Sequence, residues 1–143
     1  MKLLVNRRVD VAWSLSADGV HLGFDAMPVA AVRELLGGKA LLGMATHTAA
    51  EAAAAAHLGL DYVQLAPIHP PISKAAQRAP LGTNALRRAA NEAPPILAQG
   101  GIVADNAGEA IAAGAAGVAV TGAILGAHDP GDAARALRTA LDG

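Results

Sequence analysis

The sequence contains no cysteine, which removes disulfide frameworks, thiolate metal sites and cysteine nucleophiles in one step. Aromatic residues are nearly as scarce. One Phe, one Tyr and one Trp leave the core to small and aliphatic side chains, a composition suited to close helix-on-sheet packing. Neither sign of charge dominates: 11 basic and 12 acidic residues are spread along the chain, so nothing points to nucleic acid or an anionic membrane as a partner. Long apolar runs are missing too. Ala49 to Ala56 is interrupted by Glu51 and followed by His57 and Gly59, which reads as an amphipathic helix and not a membrane span. Met1 to Asp10 is a short apolar run interrupted by Arg7 and Arg8, unlike a signal peptide, so a soluble cytoplasmic protein is the expectation.

What the chain does contain is repetition of one unit. Runs rich in Leu, Val and Ile alternate with alanine-rich helical segments, the pattern of parallel strands buried on both faces and joined by helical crossovers. Strands are predicted near Lys2 to Asn6, Gly19 to Leu22, Ala40 to Ala45, Tyr62 to Ala66, Ile96 to Gln99 and Gly117 to Val120. Helices are predicted near Pro28 to Leu36, Thr48 to Leu58, Asn84 to Glu92, Asp105 to Ala113 and Pro130 to Leu141. A faint repeat precedes three strands, at Ser16 to Val20, Gly59 to Val63 and Gly114 to Val118, each reading as a helix stop that feeds directly into a strand. The expected fold is α/β, a partial TIM-type (βα) barrel with about six parallel strands of eight, in one domain over residues 1–143. A closed barrel of eight units needs roughly 250 residues, so about two units are expected to be lacking.

In such folds ligands bind at the carboxyl ends of the strands, where this sequence places polar and small residues. Gly100-Gly101 and Thr121-Gly122 follow the last two strands, where bare backbone amides can hold a phosphate, although glycines there can also simply turn the chain. His47 follows the third strand and could transfer a proton near neutral pH. The plainer alternative makes Thr46 or Thr48 a helix cap and His47 a turn residue. His21, His57, His69 and His128 are weaker candidates, since their spacing offers no metal-ligand cluster. The long connection from Pro67 to Pro80 carries Lys74 and Arg78, either of which could neutralise a phosphate.

Taken in order, these segments resemble the thiamine phosphate synthase family and its TenI-type thiazole tautomerase relatives. Leu3 to Ala12 looks like that family's third barrel strand and following turn, and Asp18 to Gly23 like its fourth strand. Gly43-Met44-Ala45-Thr46-His47-Thr48 resembles the fifth, and Pro67-Ile68-His69-Pro70 through Lys74 the lid after the sixth. Gly100-Gly101-Ile102 resembles the seventh and Gly117 to Val120 the eighth.

The resemblance implies a thiazole phosphate ligand, with Asn6, Ser73, Lys74, Gly100, Gly101, Thr121 and Gly122 on the substrate and phosphate and His47 as the proton-transfer residue. It also implies a magnesium ion held by aspartates after the third and fourth family strands. Here Arg7 follows Asn6 and Ala26 stands at the second acidic position beside Asp25, so the metal site is expected to be lost and no cofactor is expected. A tautomerase-like proton transfer suits these residues best. The alternatives are a synthase completed by missing or partner segments, and a noncatalytic phosphate-binding protein or relic. Open sheet edges imply a homo-oligomer or a partner that covers them.

Overall fold

In a computed structural model, residues 1–23, 25–72 and 78–142 are described. Six parallel strands, β1 (Leu4–Asn6), β2 (Gly19–Leu22), β3 (Leu41–Thr46), β4 (Tyr62–Leu65), β5 (Ile96–Gln99) and β6 (Gly117–Ala119), pair in chain order as a curled half-barrel. Each predicted strand is present with its ends within two residues. The connecting helices are α1 (Val9–Ser14), α2 (Val29–Leu36), α3 (Ala49–Ala54), α4 (Thr83–Ala89), α5 (Ala104–Ala112), α6 (Gly122–Leu125) and α7 (Pro130–Asp142). A 3-10 turn over Ala55–Leu58 extends α3 to the predicted end of that helix.

Two of these helices are invisible in the sequence. Val9 to Ala12 reads as a turn, but α1 forms there because Ala12 is buried against Val20, Leu22, Val29, Val32 and Leu42. Trp13 is 65% exposed and Arg8 gives no side-chain cap, so α1 carries neither an apolar stripe nor a start signal. At four residues, α6 is too short for helical periodicity to register.

Alternation along the strands separates two faces. Val20, Leu22, Leu42, Val63, Leu65, Ile96 and Ala98 pack under the helices in two apolar clusters, one beneath β1 to β3 and a larger one beneath β4 to β6. The alternate residues, among them His21, Gly43, Tyr62, Gln64 and Gln99, occupy the other side of the sheet. Gly43 is required there: a Cβ would stand 2.0 Å from Tyr62 Cζ, so only glycine lets that ring cross to His21. The His21 and Tyr62 rings stack with centroids 5.7 Å apart, and Tyr62 Oη lies 3.1 Å from His21 Nδ1. Burial lowers the His21 pKa and raises that of Tyr62, so near neutrality the phenol donates to a neutral imidazole.

The faint repeat has a physical basis at the amino ends of the strands. Asp18 Oδ2 accepts from Leu3 N and Asp61 Oδ2 from Leu42 N, each at 2.8 Å, so each aspartate ties the start of its own strand to the start of the preceding one. Asp61 is reinforced by Arg33, whose guanidinium also donates to the carbonyls of Ala40 and Gly59. In the third copy Ala116 replaces the acid and only the backbone bond remains, from its N–H to Ile96 O, as Asp61 N–H also donates to Leu42 O. These latches sit at the end opposite the polar rim.

Candidate functional site

Because all six strands run the same way, the residues after them share one rim. Along it come Asn6 and Arg7, then Gly23 and Asp25, then His47, the connection from Pro67, Gly100 and Gly101, and Thr121 and Gly122. Toward the β6 side the rim encloses a cavity of about 340 Å³ lined in part by His47, Arg78, Gln99, Gly100, Gly101, Thr121 and Gly122. His47 and both glycine turns therefore converge. Asn6 shares the rim but does not line this cavity. Ser73 and Lys74 lie outside the described residues.

His47 is held at both ends. Its N–H donates to Glu51 Oε2 at 2.7 Å, and Thr48 Oγ1 caps α3 by accepting from Glu51 N at 3.1 Å. Thr48 thus plays the capping role. Buried Thr46 instead donates to Gln64 O. His47 Nδ1 lies 2.9 Å from Ala66 O. A carbonyl can only accept, so Nδ1 carries the proton and Nε2 is the basic nitrogen of the neutral ring. The result is an oriented imidazole base in the wall of the cavity.

The first glycine turn is shaped by its neighbours. Gly100 and Gly101 have φ of 90° and 63°, where side chains other than glycine are disfavoured. A Cβ on Gly100 would stand 2.8 Å from Pro67 Cα, and one on Gly101 would stand 2.4 Å from Pro70 O. The Gly100 carbonyl accepts from His69 N and the Gly101 carbonyl from Asn106 Nδ2. With these acceptors occupied, the N–H groups of Gly101 and Ile102 have no hydrogen-bond partner among the described residues, and neither do those of Gly122 and Ala123. Backbone donors on residues that line one cavity suit an anion. Arg78, exposed and lining the same space, adds a positive charge. Gln99 was missed in the sequence reading. Strand alternation from buried Ala98 was the signal that could have found it.

On the other side of the rim, Arg7 Nη2 donates to both Asp25 oxygens, at 2.6 and 2.5 Å. Ala26 packs against the Val20 and Leu22 cluster.

A family model described as thiamine monophosphate synthase matches residues 1–124. The chain belongs to this family. It is 48% identical over 136 residues to the thiamine biosynthesis bifunctional protein ThiM/ThiE of Symbiobacterium thermophilum, covering 94% of this chain and 28% of that protein. It is 46% identical over 137 residues to the thiamine-phosphate synthase of Chloroflexus aurantiacus, covering 95% and 63%. Among solved structures, the thiamine phosphate pyrophosphorylase of Pyrococcus furiosus aligns with a TM-score of 0.84 at 33% identity, over 97% of this chain and 66% of that one. The chain thus spans about two thirds or less of the length of these relatives. A 3-hexulose-6-phosphate synthase, 24% identical with a TM-score of 0.73, shares the fold. No helix among the described residues is long and apolar enough to cross a membrane.

Proposed function

We propose that the cavity binds a phosphorylated thiazole of thiamine biosynthesis and that His47 moves a proton on it. The observation that carries this reading is the bond from His47 Nδ1–H to Ala66 O, which leaves Nε2 basic in a cavity also lined by the two glycine turns and Arg78. The N–H groups of Gly101, Ile102, Gly122 and Ala123, with Lys74 and Ser73 from the connection after β4, are assigned to the phosphate. A tautomerase-like step fits this set: the imidazole takes a proton from a ring carbon of a non-aromatic thiazole tautomer and a proton is returned at a conjugated carbon outside the ring, so the ring becomes aromatic and no co-reactant is consumed.

His47→Asn tests the assignment, because an asparagine Nδ2–H can keep the bond to Ala66 O but offers no base. Turnover is expected to fall by about 10²- to 10⁴-fold while thiazole phosphate binding stays within a few fold. Unchanged turnover would falsify the role of His47.

The names of relatives 46% and 48% identical favour a second reading, condensation of the thiazole phosphate with a pyrimidine diphosphate. Supplying both precursors decides between the two: pyrophosphate release assigns condensation, and isomerisation of the thiazole alone assigns proton transfer. Binding with neither reaction indicates a noncatalytic phosphate-binding protein. Self-association, or a partner pairing with the outer strands β1 and β6, belongs to the same reading. Leu3 and Trp13 near β1 are 60% and 65% exposed, and a monomer in sedimentation would count against it.

A further inference from the structure

The residues at the β1–β2 end of the rim do not fit the magnesium ion that the family resemblance places there. Magnesium takes near-octahedral oxygen ligands, commonly including one or two carboxylates. Both oxygens of Asp25 already accept from Arg7 Nη2, so an entering cation would have to displace a group of its own charge sign. Ala26 offers no oxygen from its side chain, which packs on the apolar cluster. Among the described residues no three His, Asp or Glu side chains converge. The backbone is built for the pair instead. Arg7 adopts a φ of 65°, uncommon for a long side chain, and its N–H donates to His21 O at 2.8 Å. A Cβ on Gly23 would stand 3.0 Å from both Arg7 Nη1 and Asp25 Oδ1, so glycine there makes room for the guanidinium and carboxylate together.

We propose that Arg7, anchored on Asp25, supplies the positive charge that a divalent cation would supply at this rim. An anionic ligand group of the diphosphate class is then met by guanidinium N–H donors and not by a metal. A guanidinium has five N–H donors, and two are used on Asp25. Three remain on a side chain that is 52% exposed. The proposal rests on the family reading only for where a metal would sit, and it does not involve His47.

Two titrations test it. In the first, Mn²⁺ uptake is followed by electron paramagnetic resonance on the wild-type chain and on Arg7→Asp. Aspartate tolerates positive φ and would place a second carboxylate beside Asp25. The wild type is expected to take up no ion saturably and Arg7→Asp to take up one per chain. In the second, inorganic pyrophosphate is titrated calorimetrically in EDTA with the β6-side cavity already saturated with thiazole phosphate. Binding is expected, with a loss of about tenfold or more in Arg7→Ala, since a charge-assisted bond is removed. Saturable Mn²⁺ uptake by the wild type overturns the proposal. So does pyrophosphate binding that is absent, needs magnesium, or is unchanged in Arg7→Ala. An Arg7→Asp chain with unaltered circular dichroism that takes up no Mn²⁺ overturns the claim that Arg7 excludes the metal. His47→Asn should leave both titrations unchanged, so failure here is distinguishable from failure of the thiazole reading.

Discussion

Gly101→Ala should be among the most damaging single-methyl changes in the molecule, and its cost divides into two parts. The first is conformational: at φ of 63° an alanine loses about 1–2 kcal/mol relative to the right-handed region. The second is steric. The new Cβ would stand 2.4 Å from Pro70 O and 2.7 Å from His69 Cβ, and forcing such contact typically costs about 1–3 kcal/mol. Gly59→Ala separates the parts, because Gly59 also lies in the left-handed region, at φ 73° and ψ 32°, but nothing stands within 4 Å of its Cβ position. For a chain of this length, unfolding entropy near 2.1 cal/mol/K per residue makes 1 kcal/mol worth about 3 °C in Tm. Calorimetry should therefore show a loss of about 3–7 °C for Gly59→Ala and about 7–17 °C for Gly101→Ala. Equal losses would refute the steric part. The first glycine turn would then not be packed against the connection after β4, and the cavity wall would not be as described.

Other consequences are separable from this one. Arg78→Ala, at an exposed position, should leave Tm unchanged but weaken phosphate-ligand binding by about 10- to 100-fold in titration calorimetry, the loss of one charge-assisted bond. Asp61→Ala removes the acceptor of the Leu42 N–H and of Arg33, and denaturant unfolding should show a loss of about 1–3 kcal/mol. Burial pushes the Asp61 carboxyl up, but hydrogen bonds from Leu42 N–H and Arg33 outweigh it and hold the folded pKa below the usual value. Its stabilisation is therefore complete above the unfolded pKa of about 4 and lost as pH falls through the folded one, so Asp61→Asn should flatten the stability profile in that acid range. His21 acts higher. Its pKa is lowered by burial, so below about pH 6.5 the unfolded chain binds more protons and stability falls, and His21→Asn should reduce that slope in Tm measured from pH 5 to 7.

The parts of this molecule legible in its sequence are those where one physical cause acts over a whole segment. Strand positions followed from runs of Leu, Val and Ile buried beneath helices, and the rim followed from the strands being parallel. His47 and the glycine pairs could be placed there because strand ends are local features. Their mutual geometry could not. The tautomer of His47 is set by the carbonyl of Ala66, 19 positions away, and the need for Gly101 by Pro70 and His69 from a different connection. The helix α1 escaped notice because over its six residues it gives the core only Ala12 and a partly buried Val9, too little for a periodic stripe. The pairing of Arg7 with Asp25 was likewise hidden: the sequence shows a cation in the place of one family carboxylate, but not that it turns to Asp25.

That pairing sits at the β1–β2 side of the rim, apart from the cavity toward β6. On the proposed reading, a guanidinium at β1 and an oriented imidazole at β3 place a positive charge and a base along one rim, a pairing that suits proton transfer. If condensation is nevertheless observed, Arg7 should be the residue that sets its rate. Arg7→Ala should then lower kcat for condensation while leaving thiazole phosphate binding at the β6 side unaltered, and equal effects on both would show that the rim is not divided in this way.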